Sequence, residues 1–252
     1  MSRIYSIPGQ GNGPLIEKKS VSDFFDRRAE KIKTLGPVKA VIYQDKQSGL
    51  AEARNAAEKF KLLPLLRLDG AQRVLDVGCG TGRWVSDLLP ISSFYHGIDA
   101  CEGLVAYARE QFFLVPNCCF TVASADNFSL QSIGEKLTFD RILCAGVLIY
   151  LNDEEVLRAL RCMANALSPS GLILLREPMG VDQRLTISEH YSDDMEQIYS
   201  AIYRTRGELE ALIAKVMPAG SFRLAGCGDV YDEPTLNNRN DTKQQWLLLE
   251  RI

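Results

Sequence analysis

Histidine is scarce in this chain. Only His96 and His190 occur, far apart and without H-x-x-x-H spacing, which argues against a catalytic zinc; no metal is expected. Seven cysteines are an odd count, none forms a C-x-x-C pair, and Cys118-Cys119 are too close for an ordinary bridge. Most sit in apolar stretches, so buried free thiols in a reducing, cytoplasmic setting are the expectation. No run of about twenty apolar residues exists, so no membrane span is predicted. The first ten residues, Met1 to Gln10, lack an apolar core of signal-peptide length. A net charge of −3 and no basic stripe argue against nucleic acid or an acidic membrane as partner. What remains is a 252-residue chain sized for one α/β domain with an extension, without repeats or low-complexity tracts.

The most informative stretch is Arg73-Val-Leu-Asp-Val-Gly-Cys-Gly-Thr-Gly82. Val74 to Val77 predict a short strand, Gly78, Gly80 and Gly82 a tight turn, and Arg83 to Leu89 a helix. A strand, a glycine turn and a helix start together let backbone touch a ligand, and glycine supplies the positive φ such turns require. The spacing is not that of G-x-G-x-x-G, since the third glycine comes one residue early. A P-loop would need Gly-Lys-Ser/Thr, which is absent.

Along the chain, residues 1–14 read as loose, and Leu15–Lys33 as a helix stopped by Gly36-Pro37. Ala40–Asp45 is a short apolar-to-polar segment, and Leu50–Leu66 predicts a longer helix. These helices precede the repeating units, so two roles are open: a strap on the sheet edge or a cap over a pocket. Strands are predicted at Phe94–Asp99, Cys119–Ala123, Phe139–Ala145 and Leu172–Glu177, separated by helices at 102–113 and after the capping box Asn152-Asp-Glu-Glu155. Continuously apolar strands alternating with helices imply a parallel, doubly wound α/β sheet. From Pro178 to Tyr203 no long period is visible, with at most a short helix at Asp193–Ala201. Thr205-Arg-Gly-Glu208 opens another helix, and Phe222–Tyr231 and Gln245–Glu250 read as strands.

The motif Asp76-Val-Gly-Cys-Gly-Thr-Gly82 resembles the nucleoside-binding loop of class I S-adenosylmethionine-dependent methyltransferases of the small-molecule type. The similarity covers about residues 70–177. It implies a Rossmann-like, mostly parallel seven-stranded sheet with an N-terminal helical cap and a closing C-terminal antiparallel hairpin. Residues 1–66 would be the cap, 67–252 the S-adenosylmethionine-binding domain, and 176–205 an insertion facing substrate. It also implies S-adenosyl-L-methionine as cofactor, S-adenosyl-L-homocysteine as product, and a small-molecule acceptor, in a monomer or homodimer.

For such a cofactor the strand ends matter. Asp99 would take both ribose hydroxyls, with Ala100 following it; Asp126 and Asn127 would meet the adenine edge. Asp76, Gly78 and Cys144 would face the methionine ammonium, and Cys79, Gly80 and Gly82 complete the loop. Trp84 and Tyr107 read as core. The sulfonium methyl is already electrophilic, so the protein must align the acceptor and exclude water. The base is open between Tyr150, where relatives often carry histidine, and His190. Arg176, Glu177, Arg184, Tyr199, Tyr203 and Arg204 are the candidate substrate residues, because arginine forks suit carboxylate or phosphate. The expected reaction is methylation of an O or N atom of a small polar or anionic molecule, such as a sugar or a secondary-metabolite intermediate. Two alternatives share the same loop: aminobutyryl cyclisation or transfer, and a non-catalytic regulatory module that binds the cofactor.

Overall fold

A computed structural model describes residues 3–6, 13–43, 49–193, 195–237 and 239–252. Most of the segment expected to be loose, residues 1, 2 and 7–12, lies outside the described residues, as do Gln44 and Asp45. In chain order the elements are β1 (Arg3–Ser6), α1 (Lys18–Glu30), α2 (Ile32–Leu35), α3 (Pro37–Ile42), α4 (Leu50–Leu62), β2 (Arg73–Val77), α5 (Val85–Leu88), β3 (Phe94–Asp99) and α6 (Glu102–Gln111). They continue with β4 (Cys118–Val122), β5 (Phe139–Ala145), α7 (Asp153–Ala166), β6 (Leu167–Gly180), β7 (Arg184–Ser192), β8 (Gln197–Tyr203), α8 (Arg206–Val216), β9 (Phe222–Asp229) and β10 (Thr242–Arg251).

The main sheet has seven strands in the order β4-β3-β2-β5-β6-β10-β9. Its first five strands are parallel, and β10 pairs antiparallel with both β6 and β9. The apolar runs are continuous because both faces are covered. Leu75, Val77, Ile98, Ile142 and Cys144 pack with α7 and α8 on one face. Val74, Tyr95, Leu143 and Leu174 pack with Trp84, Val105 and Leu62 on the other. This is the doubly wound, mostly parallel fold with a C-terminal hairpin. All seven cysteines are free, and none is exposed.

Three local readings are corrected. The helix after the glycine loop is a single turn, Val85–Leu88, running into a 3₁₀ turn at Leu89–Ile91, because Pro90 removes a donor there. Ala40 belongs to α3, opened by Pro37 at its first turn. The segment 178–203 is not irregular and has no helix at 193–201: it carries the antiparallel pair β7–β8, and β1 pairs with β7 to make a second, three-stranded sheet. Its strands do not alternate cleanly, because Arg184 to Ile187 and Tyr199 to Tyr203 are buried as continuous runs. That is why the period of two is hidden. The second sheet stands over the carboxyl ends of the parallel strands, with α1 packed on β8 through Phe24 and Tyr199.

Candidate functional site

Between the two sheets lies a cavity of about 550 Å³. One end is formed where β2, β3, β4 and β5 stop: Gly78, Cys79, Gly80, Asp99, Ala100, Ser124, Ala125 and Gly146 line it. Asp99 sits at this end with its carboxylate anchored by two backbone donors, Gly80 N–H to Oδ2 (2.9 Å) and Cys101 N–H to Oδ1 (2.8 Å). Burial pushes its carboxyl upward, against backbone bonds from Cys101, Gly80 and Ala100. A carboxylate has about four lone-pair sites, so acceptor capacity remains for a ligand hydroxyl.

The glycine loop takes positive φ at Gly78 (76°), Gly80 (54°) and Gly82 (76°). At all three the missing Cβ also makes room for protein, and a Cβ on Gly78 would run into the Val147 side chain. A Cβ on Gly80 would lie 2.9 Å from Val41 of α3, and one on Gly82 would lie 2.8 Å from Phe112. The loop is thus clamped from above by the N-terminal helices, and Thr81 Oγ1 donates to Pro37 O at 3.1 Å.

The other sequence-predicted cofactor residues stand one layer back. Asp76 is buried outside the lining, accepts a hydrogen bond from the Tyr95 hydroxyl at 2.6 Å, and has its carboxyl pushed up to about 6 by burial. Asp126 accepts from Ser124 (2.5 Å) and Arg158 (2.8 Å), while its neighbours Ser124 and Ala125 do the lining. Asn127 is exposed, and Cys144 is fully buried below Ala145 and Gly146.

The remaining walls come from the second sheet, the N-terminal helices and β10. Tyr150, His190, Tyr199, Tyr203 and Arg176 line the cavity. The hydroxyls of Tyr199 and Tyr203 are 2.9 Å apart, and those of Tyr150 and Tyr199 are 3.5 Å apart. Burial pushes all three phenols above their ordinary range, so they stay neutral. Glu177, Arg184 and Arg204 do not line the cavity. Glu177 accepts from the backbone N–H groups of Val147 (3.0 Å), Leu148 (3.0 Å) and Ile149 (3.3 Å), so it holds the turn that carries Tyr150. Arg184 forks onto Asp153 (3.0 and 3.0 Å), and Arg204 joins the same carboxylate (2.7 Å) and the carbonyls of Leu148 and Leu151. These two guanidiniums tie α7 to the second sheet, and their forks are occupied.

Sequence reasoning missed Arg3, Phe25, Tyr43, Arg54, Arg83, Arg239 and Gln244, all of which line the cavity. One signal was available. Arg54 and Glu58 lie four apart on the buried face of α4, between Ala51 and Leu62, and charge on an apolar stripe marks a buried network. Glu58 bridges Arg83 (2.6 Å) and Arg176 (2.6 Å). Burial alone would push its carboxyl up, but the two guanidiniums hold it below its usual range. Arg54, Arg83 and Arg176 against one glutamate leave this part of the cavity wall cationic, and Arg176 Nε is buried without a partner.

Residues 74–171 match a protein family described as "Methyltransferase domain". An uncharacterized protein from Synechococcus is 34% identical over 116 residues, covering 41% of this chain, which spans only 25% of that protein's length. Phosphoethanolamine N-methyltransferase 1 of Haemonchus contortus, solved with phosphoethanolamine and S-adenosylhomocysteine, superposes with a TM-score of 0.70 at 18% identity. That alignment covers 94% of this chain and 50% of the nematode enzyme. The [4+2]-cyclase SpnF gives a TM-score of 0.66 at 16% identity, over 95% and 98% of the two chains.

Proposed function

We propose, from the match of residues 74–171 to a methyltransferase domain, that this chain binds S-adenosyl-L-methionine at the glycine-loop end of the cavity and methylates an O or N atom of a small polar or anionic molecule. The observation that carries this reading is Asp99, a carboxylate with spare lone pairs, fixed on the Gly80 N–H at the cavity wall. Gly78 and Gly80 line the cavity wall with it, and the Arg54–Arg83–Arg176 wall suits the carboxylate of a methionine arm. When bound, the sulfonium supplies an activated methyl group.

The chain's own residues then have three tasks. The second sheet and α1–α3 roof the cavity and keep water from the methyl group. Neutral Tyr150 and Tyr199 orient the acceptor by hydrogen bonds rather than by taking its proton. His190, half-buried on the opposite wall, is the candidate base if the acceptor is a hydroxyl or a protonated amine.

Calorimetry with S-adenosylhomocysteine, without added metal, tests the reading. Binding should be sub-millimolar, and Asp99→Ala should weaken it by about 1–3 kcal/mol through unpaired ribose hydroxyls. Parent-like affinity in that variant would remove Asp99 from the role. A second reading is favoured by the likeness to a [4+2]-cyclase, since one fold carries both chemistries. Product analysis separates them: methyl transfer releases S-adenosylhomocysteine, aminobutyryl chemistry releases methylthioadenosine, and a cyclase or a regulatory module releases neither.

A further inference from the structure

The cavity extends well past Asp99. Its far wall is built from β1, β8, β10 and the loop before β10, through Arg3, Tyr203, Arg239, Thr242 and Gln244. Thr242 and Gln244 pair with Gly180 and Pro178 across the sheet and are two residues apart, so both side chains point to the same side. Arg3 and Arg239 meet on a single carboxylate, Asp241. Arg239 grips it with Nε to Oδ1 (2.9 Å) and Nη2 to Oδ2 (3.0 Å), Arg3 Nη2 donates at 3.2 Å, and the Tyr5 hydroxyl donates at 2.9 Å. The Arg239 fork, with the other donors, holds the Asp241 carboxyl at about 2, so it stays ionised.

Two positive charges against one negative leave this wall at +1. The carboxylates that line the cavity, Asp26, Asp99 and Glu155, come from α1, β3 and α7, none from this wall. Arg239 also lies over the Tyr203 ring, 5.3 Å from its centre, so the guanidinium is fixed in plane and position. An arginine locked in this way has remaining N–H groups already ordered for a second oxyanion. On the same cavity wall, Gln244 Oε1 is buried with no hydrogen-bond partner. A bare acceptor and a surplus cation on one wall call for a ligand with both a negative group and a donor.

We propose that this wall is the acceptor's oxyanion subsite: a phosphate or carboxylate of the acceptor binds Arg239 and Arg3, and a hydroxyl or amine of the same molecule donates to Gln244. The inference rests on the methyl-transfer reading, in which the reacting atom lies nearer Asp99. It moves recognition of the acceptor's charge away from Arg184 and Arg204, whose forks are occupied by Asp153.

The test uses the full chain saturated with S-adenosylhomocysteine. It is titrated at constant ionic strength with inorganic phosphate and, separately, with acetate, in the parent, Arg239→Gln and Arg3→Gln. Saturable binding of at least one anion is expected in the parent, weakened about tenfold or more in Arg239→Gln, with cofactor-product affinity kept within about twofold. Phosphate binding alone marks a phosphomonoester acceptor, and acetate binding alone a carboxylate. If Arg239→Gln fails to fold, the Arg3→Gln comparison carries the test. No anion binding by the parent, or undiminished binding in the variants, overturns the subsite. Failure of S-adenosylhomocysteine itself to bind overturns the cofactor reading instead, and the same titrations on the free protein then decide the subsite alone.

Discussion

At the scale of single residues, two buried glutamates hold the site in shape without facing the acceptor. Glu58 is fully buried between Arg83 and Arg176, and Asn55 supports Arg83 from the same helix at 3.0 Å. Removing one partner from a buried ion network leaves the others charged and unpaired. Glu58→Gln should therefore cost about 3–5 kcal/mol of unfolding free energy, read by urea denaturation. A loss within experimental error would mean that solvent already screens the pair. Glu177 differs in sign: burial pushes its carboxyl up to about 7, against the three backbone donors it accepts. The folded state then binds the proton more tightly than the unfolded chain. The stability this group contributes is complete below its ordinary value of 4.5 and is lost as pH rises through about 7. Unfolding free energies of the parent minus those of Glu177→Gln should fall between pH 5 and pH 7, with a slope approaching about 1.4 kcal/mol per pH unit. A difference flat across that window would show Glu177 ionised throughout.

At the scale of elements, the helix starts carry clear local signals. Thr205 accepts from the Glu208 N–H at 3.3 Å, while Glu208 accepts from the Thr205 N–H at 2.8 Å, closing a capping box on α8. Its Leu209, Leu212 and Ile213 pack on the sheet, so the helix is held by its buried face and the cap adds a smaller contribution. Thr205→Ala should lower stability by about 1 kcal/mol without changing cofactor-product affinity, which thermal unfolding and calorimetry check together. At α7, Glu155 accepts from the Asn152 N–H at 2.8 Å. The Asn152 amide also exchanges two bonds with the backbone of Ile16, each 3.0 Å. Both capping boxes were legible as letters three apart. The tie from Asn152 to Ile16 was not, because it spans 136 positions.

At the scale of the molecule, the N-terminal segment and the second sheet form one roof. β1 pairs with β7, Arg28 of α1 donates to Ala40 O at 3.0 Å, and Val41 and Tyr43 reach down to the cavity beside the glycine loop. A roof of this kind can tighten over a bound ligand. Amide exchange in α1 and α3 should slow by about tenfold or more when S-adenosylhomocysteine is added, since the ligand closes the same cavity from below. Unchanged exchange there would make the segment a static strap.

The strands, the glycine turn, the helix starts and the doubly wound sheet were readable from the letters alone, because apolar period, positive φ and capping are decided within a few residues of one another. Asp99 and the Gly78–Gly82 loop belong to that class. The second sheet, the Glu58 network and the paired grip of Arg3 and Arg239 on Asp241 do not. Their partners lie 118 positions apart for Glu58 and Arg176, and 238 for Arg3 and Asp241. Nothing in the spacing of Arg184 and Arg204 distinguishes a guanidinium that meets a ligand from one that meets Asp153; nor does that of Arg239 show that the arginine lines a cavity while it holds Asp241. Only the folded chain decides which charges find each other, since a buried charge is stable only where a partner is brought to it from elsewhere in the sequence.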